Sequence, residues 1–189
     1  KNVDENKYLN KGNEWGMQAV LADEPLPVSL TRKDNGSYSI SFPYGSQNDR
    51  MLYRAGETGV FVDYNKDFED AHPYWTITEV SNNSNNYFIK TYGETDKYLG
   101  NDPTRGVADN VDGDVANTDG MNIKWTLEPE GLSTEEQKTQ LGGLITQAKN
   151  LGIYDNENDI AEALYNNNNA TYTEVLAEII NLGIRVEDS

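Results

Sequence analysis

The chain has 189 residues, room for one ordinary domain and a small second one, with 36% hydrophobic residues and a formal net charge of −17. A field of that sign repels phosphate backbones, so no nucleic-acid partner is expected, and no apolar run approaches the roughly 20 residues that a helix needs to cross a bilayer, so no membrane insertion is expected. Cysteine is absent, which removes disulfides, thiolate nucleophiles and thiolate metal sites.

In chain order, Lys1-Asn2-Val3 reads as the tail of a strand, as in a processed or trimmed product. Tyr8-Leu9 then opens a unit whose opening recurs as Leu52-Tyr53 and Tyr98-Leu99, roughly 45 residues apart, a period that points to a repeat architecture. Each pair is followed by a glycine and a short apolar strand: Gly16-Met17-Gln18-Ala19-Val20, Gly59-Val60-Phe61-Val62 and Gly106-Val107-Ala108.

Two units go on to a hairpin. Val28 to Arg32 and Tyr38 to Phe42 flank Asn35-Gly36, a pair that tolerates the positive φ of a tight turn. Tyr74 to Val80 and Tyr87 to Thr91 flank the polar run Ser81 to Asn86. Trp125-Thr126-Leu127-Glu128 repeats the first half only. The pattern predicts a mainly β fold of three four-strand repeats. A propeller needs at least ~4 blades, so the expectation is a β-trefoil over residues 1–130, its barrel shut by the N-terminal strand.

From Ser133 the period becomes helical, predicting a helical domain of three helices over 131–189. Ser133-Thr134-Glu135-Glu136 reads as a capping box with Ser133 as N-cap, Leu141, Leu144, Ile145, Ala148 and Leu151 follow at helical spacing, and Gly152 supplies a left-handed stop. A second helix is expected over 157–165 with Ile160, Ala161, Ala163 and Leu164 inward, ending at Asn166 to Asn169. A third is expected from about Thr171 to Leu182. Asn150-Leu151-Gly152-Ile153 recurs as Asn181-Leu182-Gly183-Ile184.

Three units opening with Tyr and Leu before a glycine, two with Trp-Thr on the third strand, resemble the ricin-B-type β-trefoil lectin superfamily. That family marks each repeat with Gln-x-Trp. Trp75 and Trp125 stand at its Trp position and Val28 at the first-unit equivalent, while Leu26, Pro73 and Ile123 replace the Gln. Its aspartate after the first strand is replaced by Asn10, Arg54 and Gly100. The helical part is similar to the FIVAR-like repeats of bacterial surface proteins. The resemblance implies a non-catalytic carbohydrate-binding, lectin-like module of a secreted or cell-surface bacterial protein, with a glycan or polysaccharide as partner and no cofactor. The alternative is a structural or adhesive domain that binds a protein and has no working sugar site.

The residues nominate their own site. Trp15, between Glu14 and Gly16 in the first-unit loop, stands where no apolar alternation requires an aromatic, and suits a sugar-stacking platform. Asp63-Tyr64-Asn65 combines a flat face, a hydroxyl acceptor and a two-way amide. The matching positions are Asp23 and Asp109-Asn110, giving up to three equivalent sites. Trp75 and Trp125, on inward-alternating strands, are expected in the core. Asp109, Asp112, Asp114 and Asp119 are rich in oxygen, but their spacing fails the calcium loop that requires glycine sixth and glutamate twelfth, so no metal is expected. His72 is the one histidine, it precedes Pro73, and no Gly-x-Ser-x-Gly elbow exists to make a catalytic triad with it.

Overall fold

A computed structural model describes the chain apart from residues 13–17, 45–46, 65–70, 82–83, 106–108, 117–121, 129–130, 132 and 155–159, and apart from the side chains of 43–44, 47–49 and 64. Two compact units divide it, Lys1–Thr126 and Leu127–Ser189.

The first unit is all β. A two-stranded sheet pairs β1 (Tyr8–Lys11) with β2 (Ala19–Ala22). Two antiparallel meanders follow. One runs β3 (Ser29–Arg32), β4 (Tyr38–Tyr44), β5 (Gln47–Ala55) and β6 (Gly59–Tyr64), with the two-residue β7 (Ala71–His72) on β5. The other runs β8 (Trp75–Glu79), β9 (Asn86–Thr91), β10 (Tyr98–Gly100) and β11 (Asp112–Val115), with β12 (Lys124–Thr126) on β9. Both expected hairpins form: Gly36 takes φ +79° between β3 and β4, and Asn85 takes φ +53° between β8 and β9. Between them β4 and β8 meet in one register pair, Tyr38 with Trp75, and β6 and β11 in one, Gly59 with Asp112.

Three four-strand trefoil repeats are not what these strands build. The closed ring has seven strands, β4-β8-β9-β10-β11-β6-β5, closed by the β4–β5 pairing. Within it the first expected unit supplies only β4, the second supplies β5, β6, β8 and β9, and the third supplies β10 and β11. The physical reason is that a recurring Tyr/Leu-Gly signal reports where hairpins begin. Which edges then pair at a distance, and so enter the ring, is decided elsewhere. The third apolar strand, expected at 106–108, lies outside the described residues, and the strand that pairs β10 is β11. Nor does the N-terminus close the barrel. Lys1 to Val3 lie along β12, outside the ring, through Lys1 N to Thr126 O (2.7 Å), Thr126 N to Lys1 O (2.7 Å) and Val3 N to Lys124 O (2.9 Å).

Alternation sends one face of each strand into the core. Trp75 and Ile77 of β8 are buried, as are Tyr87, Ile89 and Thr91 of β9. Trp75 and Trp125 are indeed core residues, at 0% and 2% exposure, and each uses its indole in the same way. Trp75 Nε1 donates to Leu52 O at 3.2 Å and Trp125 Nε1 donates to Leu99 O at 2.9 Å. A buried indole N–H left unbonded is costly, so these bonds also specify which strand each ring packs against.

The helical unit packs α1 (Glu135–Leu151), α2 (Ala161–Asn166) and α3 (Tyr172–Glu187). The N-cap of α1 is Thr134, boxed with Gln137, one residue later than expected, because the Ser133 amide donates outward to Ala170 O at 2.9 Å. Gly152 ends α1 in the left-handed region at φ +69°. The α2 expectation is only partly met. Ala161 is buried, but Ile160 is 59% exposed and Ala163 is exposed. The Lys138 ammonium donates to the carbonyls of Leu164, Tyr165 and Asn167 and so ties off the α2 C-terminus. Thr171 and Glu174 form the capping box of α3, which buries Val175, Leu176, Ile179 and Ile180.

Replacing Trp75 or Trp125 by phenylalanine keeps an aromatic but strands a buried carbonyl. Each variant is expected to lose about 1–3 kcal/mol of stability in urea unfolding followed by far-UV dichroism. A loss under half a kcal/mol in both would show that the indole bonds do not hold the strands.

Candidate functional site

The exposed end of the β1–β2 hairpin gathers charge. Lys7 stands just before β1 and Asp23 just after β2, on strands whose register sets Tyr8 against Ala22. The segment leading into β11 is laced to β2 by Leu21 N to Asp109 O (2.7 Å) and Val111 N to Ala19 O (3.0 Å). That lacing brings Asp109 to Lys7, whose ammonium donates to its Oδ1 at 2.7 Å. The hydrogen bond to Asp109, reinforced by the fields of Asp109, Asp23 and Glu5, holds the Lys7 ammonium above the usual lysine range. Beside it, Asn10 Nδ2 donates to Glu24 O at 3.1 Å.

The sequence-nominated residues therefore have different fates. Asp109 bonds Lys7, and the field of Asp23 reaches the same ammonium; both carboxylates are exposed. Asn110 is half-buried and supports the site through its backbone, pairing with Val20 and accepting Asn101 Nδ2 at 2.8 Å. Asp63, on β6, accepts the Tyr53 hydroxyl at 3.2 Å. Burial, with Asp63 adding to it, pushes that phenol up to about 12. Tyr64 ends β6 in register with Met51. The Tyr64 side chain, Trp15 and Asn65 lie outside the described residues.

A second cluster joins Asp112 and Asp114 of the oxygen-rich loop to Asp102 and Arg105, which the sequence did not mark. The turn after β10 places Asp102 and Arg105 against Asp112 and Asp114 of β11. Asp102 accepts Thr104 Oγ1 at 2.6 Å and Thr104 N at 3.0 Å, and pairs with Arg105 Nε at 3.3 Å. The threonine hydroxyl bond, with the amide and Arg105 behind it, outweighs burial and holds Asp102 below the usual carboxylate range. Arg105 also reaches Asp114 Oδ1 at 2.5 Å. Asp112 has the opposite fate. It is 6% exposed, and its Oδ2 has no hydrogen-bond partner among the described residues. Burial pushes its carboxyl up to about 6, with Asp114 and Asp102 adding to the rise and Arg105 opposing it.

Behind this cluster a buried guanidinium crosses the unit. Arg54 of β5 donates from Nε to Thr91 Oγ1 (3.2 Å), from Nη1 to Gly56 O (2.8 Å) and from Nη2 to Glu94 (3.4 Å), while Thr91 Oγ1 donates to Gly113 O (3.3 Å). Gly113 must be glycine, since a Cβ there would lie 2.9 Å from both Arg54 Cδ and Val60 Cγ2. An arginine inside the apolar Leu52-Tyr53-Arg54-Ala55 run is the signal by which this buried charge could have been found, while Asp112 stood out only as one of four closely spaced aspartates.

Among the described residues no three carboxylates or imidazoles are placed to hold a metal ion. His72 is exposed on β7, against Arg54 in the strand register. Comparison of the chain with protein-family models, with curated proteins and with solved structures gave no match to any of the three.

Asp102 contributes stability that is present above its unfolded-state pKa and lost as pH falls through its lower folded-state value. Asp102→Ala is expected to cost about 1–3 kcal/mol at pH 7, with the gap from wild type closing towards pH 2–3 in urea melts. A gap unchanged by acid would mean that packing, not the ionised carboxylate, is what the variant loses.

Proposed function

We propose that the β unit is a non-catalytic carbohydrate-binding module and that Asp23, Lys7 and Asp109 form the core of its glycan face. The observation that carries this reading is the exposed Asp109 carboxylate paired with the Lys7 ammonium at 2.7 Å, with Asp23 close enough for its field to act on the same group. A sugar presents paired hydroxyls, each both donor and acceptor. Two carboxylates accept from them and an ammonium donates to them, so a side-by-side set of both signs suits a hydroxyl pair without further chemistry. The net charge of −17 favours neutral glycans over sulfated or uronic ones. The cysteine-free composition is compatible with a secreted or cell-surface setting, in which the helical unit acts as a spacer repeat of a bacterial surface protein. Among the described residues no helix is long and apolar enough to cross a membrane.

A second reading, a structural or adhesive domain that contacts protein and has no sugar site, draws on a specific observation. The carboxylates are already engaged, Asp109 by Lys7 and Asp63 by Tyr53.

A glycan array separates the two. Wild type is expected to give signal on neutral glycans, and Asp23→Ala and Asp109→Ala at least a tenfold loss of affinity in titration calorimetry with melting temperatures unchanged. Uniform silence of the wild type supports the adhesive reading, and hydrolysis of a polysaccharide panel would overturn both.

A further inference from the structure

The ring has one joint at which a buried charge and a minimal strand contact coincide. Among the described residues β6 and β11 share one register pair, Gly59 with Asp112, backed by Gly113 N donating to Thr58 O at 2.9 Å. On its other side β11 meets β10 through Tyr98 with Val115 and Gly100 with Asp112, around an irregularity in register. Asp112 is thus the residue through which β11 pairs with both neighbours. Its carboxyl is buried at that point with Oδ2 unpartnered among the described residues. An ionised carboxylate in such a place lacks the donors that would offset its lost hydration, whereas a neutral carboxyl costs far less to bury.

The charged groups whose fields reach it are known from each side. Asp102 and Arg105 face it from the turn after β10, and Asp114 from its own strand. β6 presents only glycine in the register pair. Arg54 of β5 packs against Gly113 but spends its donors on Thr91, Gly56, Glu57 and Glu94. Arg105 is likewise committed to Asp102 and Asp114. Beside the joint, Gln18 just before β2 bridges Phe61 of β6, and β2 itself holds the segment leading into β11 through Val20 with Asn110 and Val111 N to Ala19 O, so these contacts flank the pair that parts.

We propose that the junction of β6 and β11 is a proton-operated seam: while the Asp112 carboxyl is neutral the two strands stay paired at Gly113, and when it ionises β11 parts locally from β6. The sign follows from linkage. A carboxyl that is harder to ionise in the closed form than in the open one binds its proton more tightly when closed. Opening is therefore rare below the open-form pKa and grows as pH rises through the closed-form value. Neighbouring charges tune the midpoint: Asp114 raises it and Arg105 lowers it.

The test is hydrogen exchange of the whole chain by NMR between pH 4 and pH 7, each rate divided by its intrinsic rate at that pH. The Gly113 amide is expected to lose protection by up to about a hundredfold across the window, the fold-change that corresponds to about two pH units of displacement, while the β8–β9 ladder keeps its own. Asp112→Asn should hold Gly113 protected at every pH. Asp114→Asn should move the midpoint down and Arg105→Gln should move it up, which keeps the test alive even if Asp112→Asn does not fold. Three results would overturn the proposal: flat protection at Gly113 in the wild type, loss spread equally over β8 and β9, or midpoints that fail to move in opposite directions.

Discussion

Closure of the β unit depends on two single-residue junctions. Each meander is held by hairpin ladders, such as five register pairs between β8 and β9 and four between β3 and β4. Among the described residues the halves share just two register pairs, Tyr38 with Trp75 and Gly59 with Asp112. Backbone pairing this sparse cannot hold a ring by itself, so the junctions lean on what lies beside them. At one, the Trp75 indole reaches across to Leu52 O, and Tyr92 N donates to Tyr74 O at 3.0 Å. At the other, Gln18 bridges Phe61 of β6, Val20 of β2 bridges Asn110 ahead of β11, and the Arg54-Thr91-Gly113 chain runs alongside. The two solutions differ in kind. The first junction is apolar and aromatic. The second carries a carboxyl that resists ionisation, and so it is the one whose strength depends on solution conditions.

What could be read from the sequence follows the range of the interaction. Asn35-Gly36, the polar turn before Tyr87, the start of the third helix near Thr171 and the Gly152 stop are all decided by neighbours within a few residues, and each was legible. The core position of both tryptophans followed from alternation. The barrel did not, because a strand carries no mark of the distant edge it will meet. A period of roughly 45 residues is compatible with several ways of closing the same hairpins. The site shows the same division. Asp23 and Asp109 could be nominated from loop composition, but Lys7, the partner of Asp109, could not, since their hydrogen bond spans 102 positions.

The repeated Asn-Leu-Gly-Ile tetrapeptide makes the point within the helical unit. At Asn150 to Ile153 it ends a helix: Gly152 turns left-handed, its amide caps Ala148 O and Lys149 O, and Leu151 is 52% exposed. At Asn181 to Ile184 the same four residues continue one, with Leu182 and Gly183 buried within α3. Glycine permits a stop without compelling one, and burial of Leu182 together with Ile179 and Ile180 offsets the roughly 1 kcal/mol that a mid-helix glycine costs. Tertiary packing, not local preference, chose between the two outcomes.

The division of the ring into halves has a consequence for how the protein assembles. Each meander is built from contacts close in sequence and can form early, whereas the docking of one on the other is a late, long-range event. Closing the ring is therefore the step of folding that waits on a long-range search, after the hairpins of both meanders are in place.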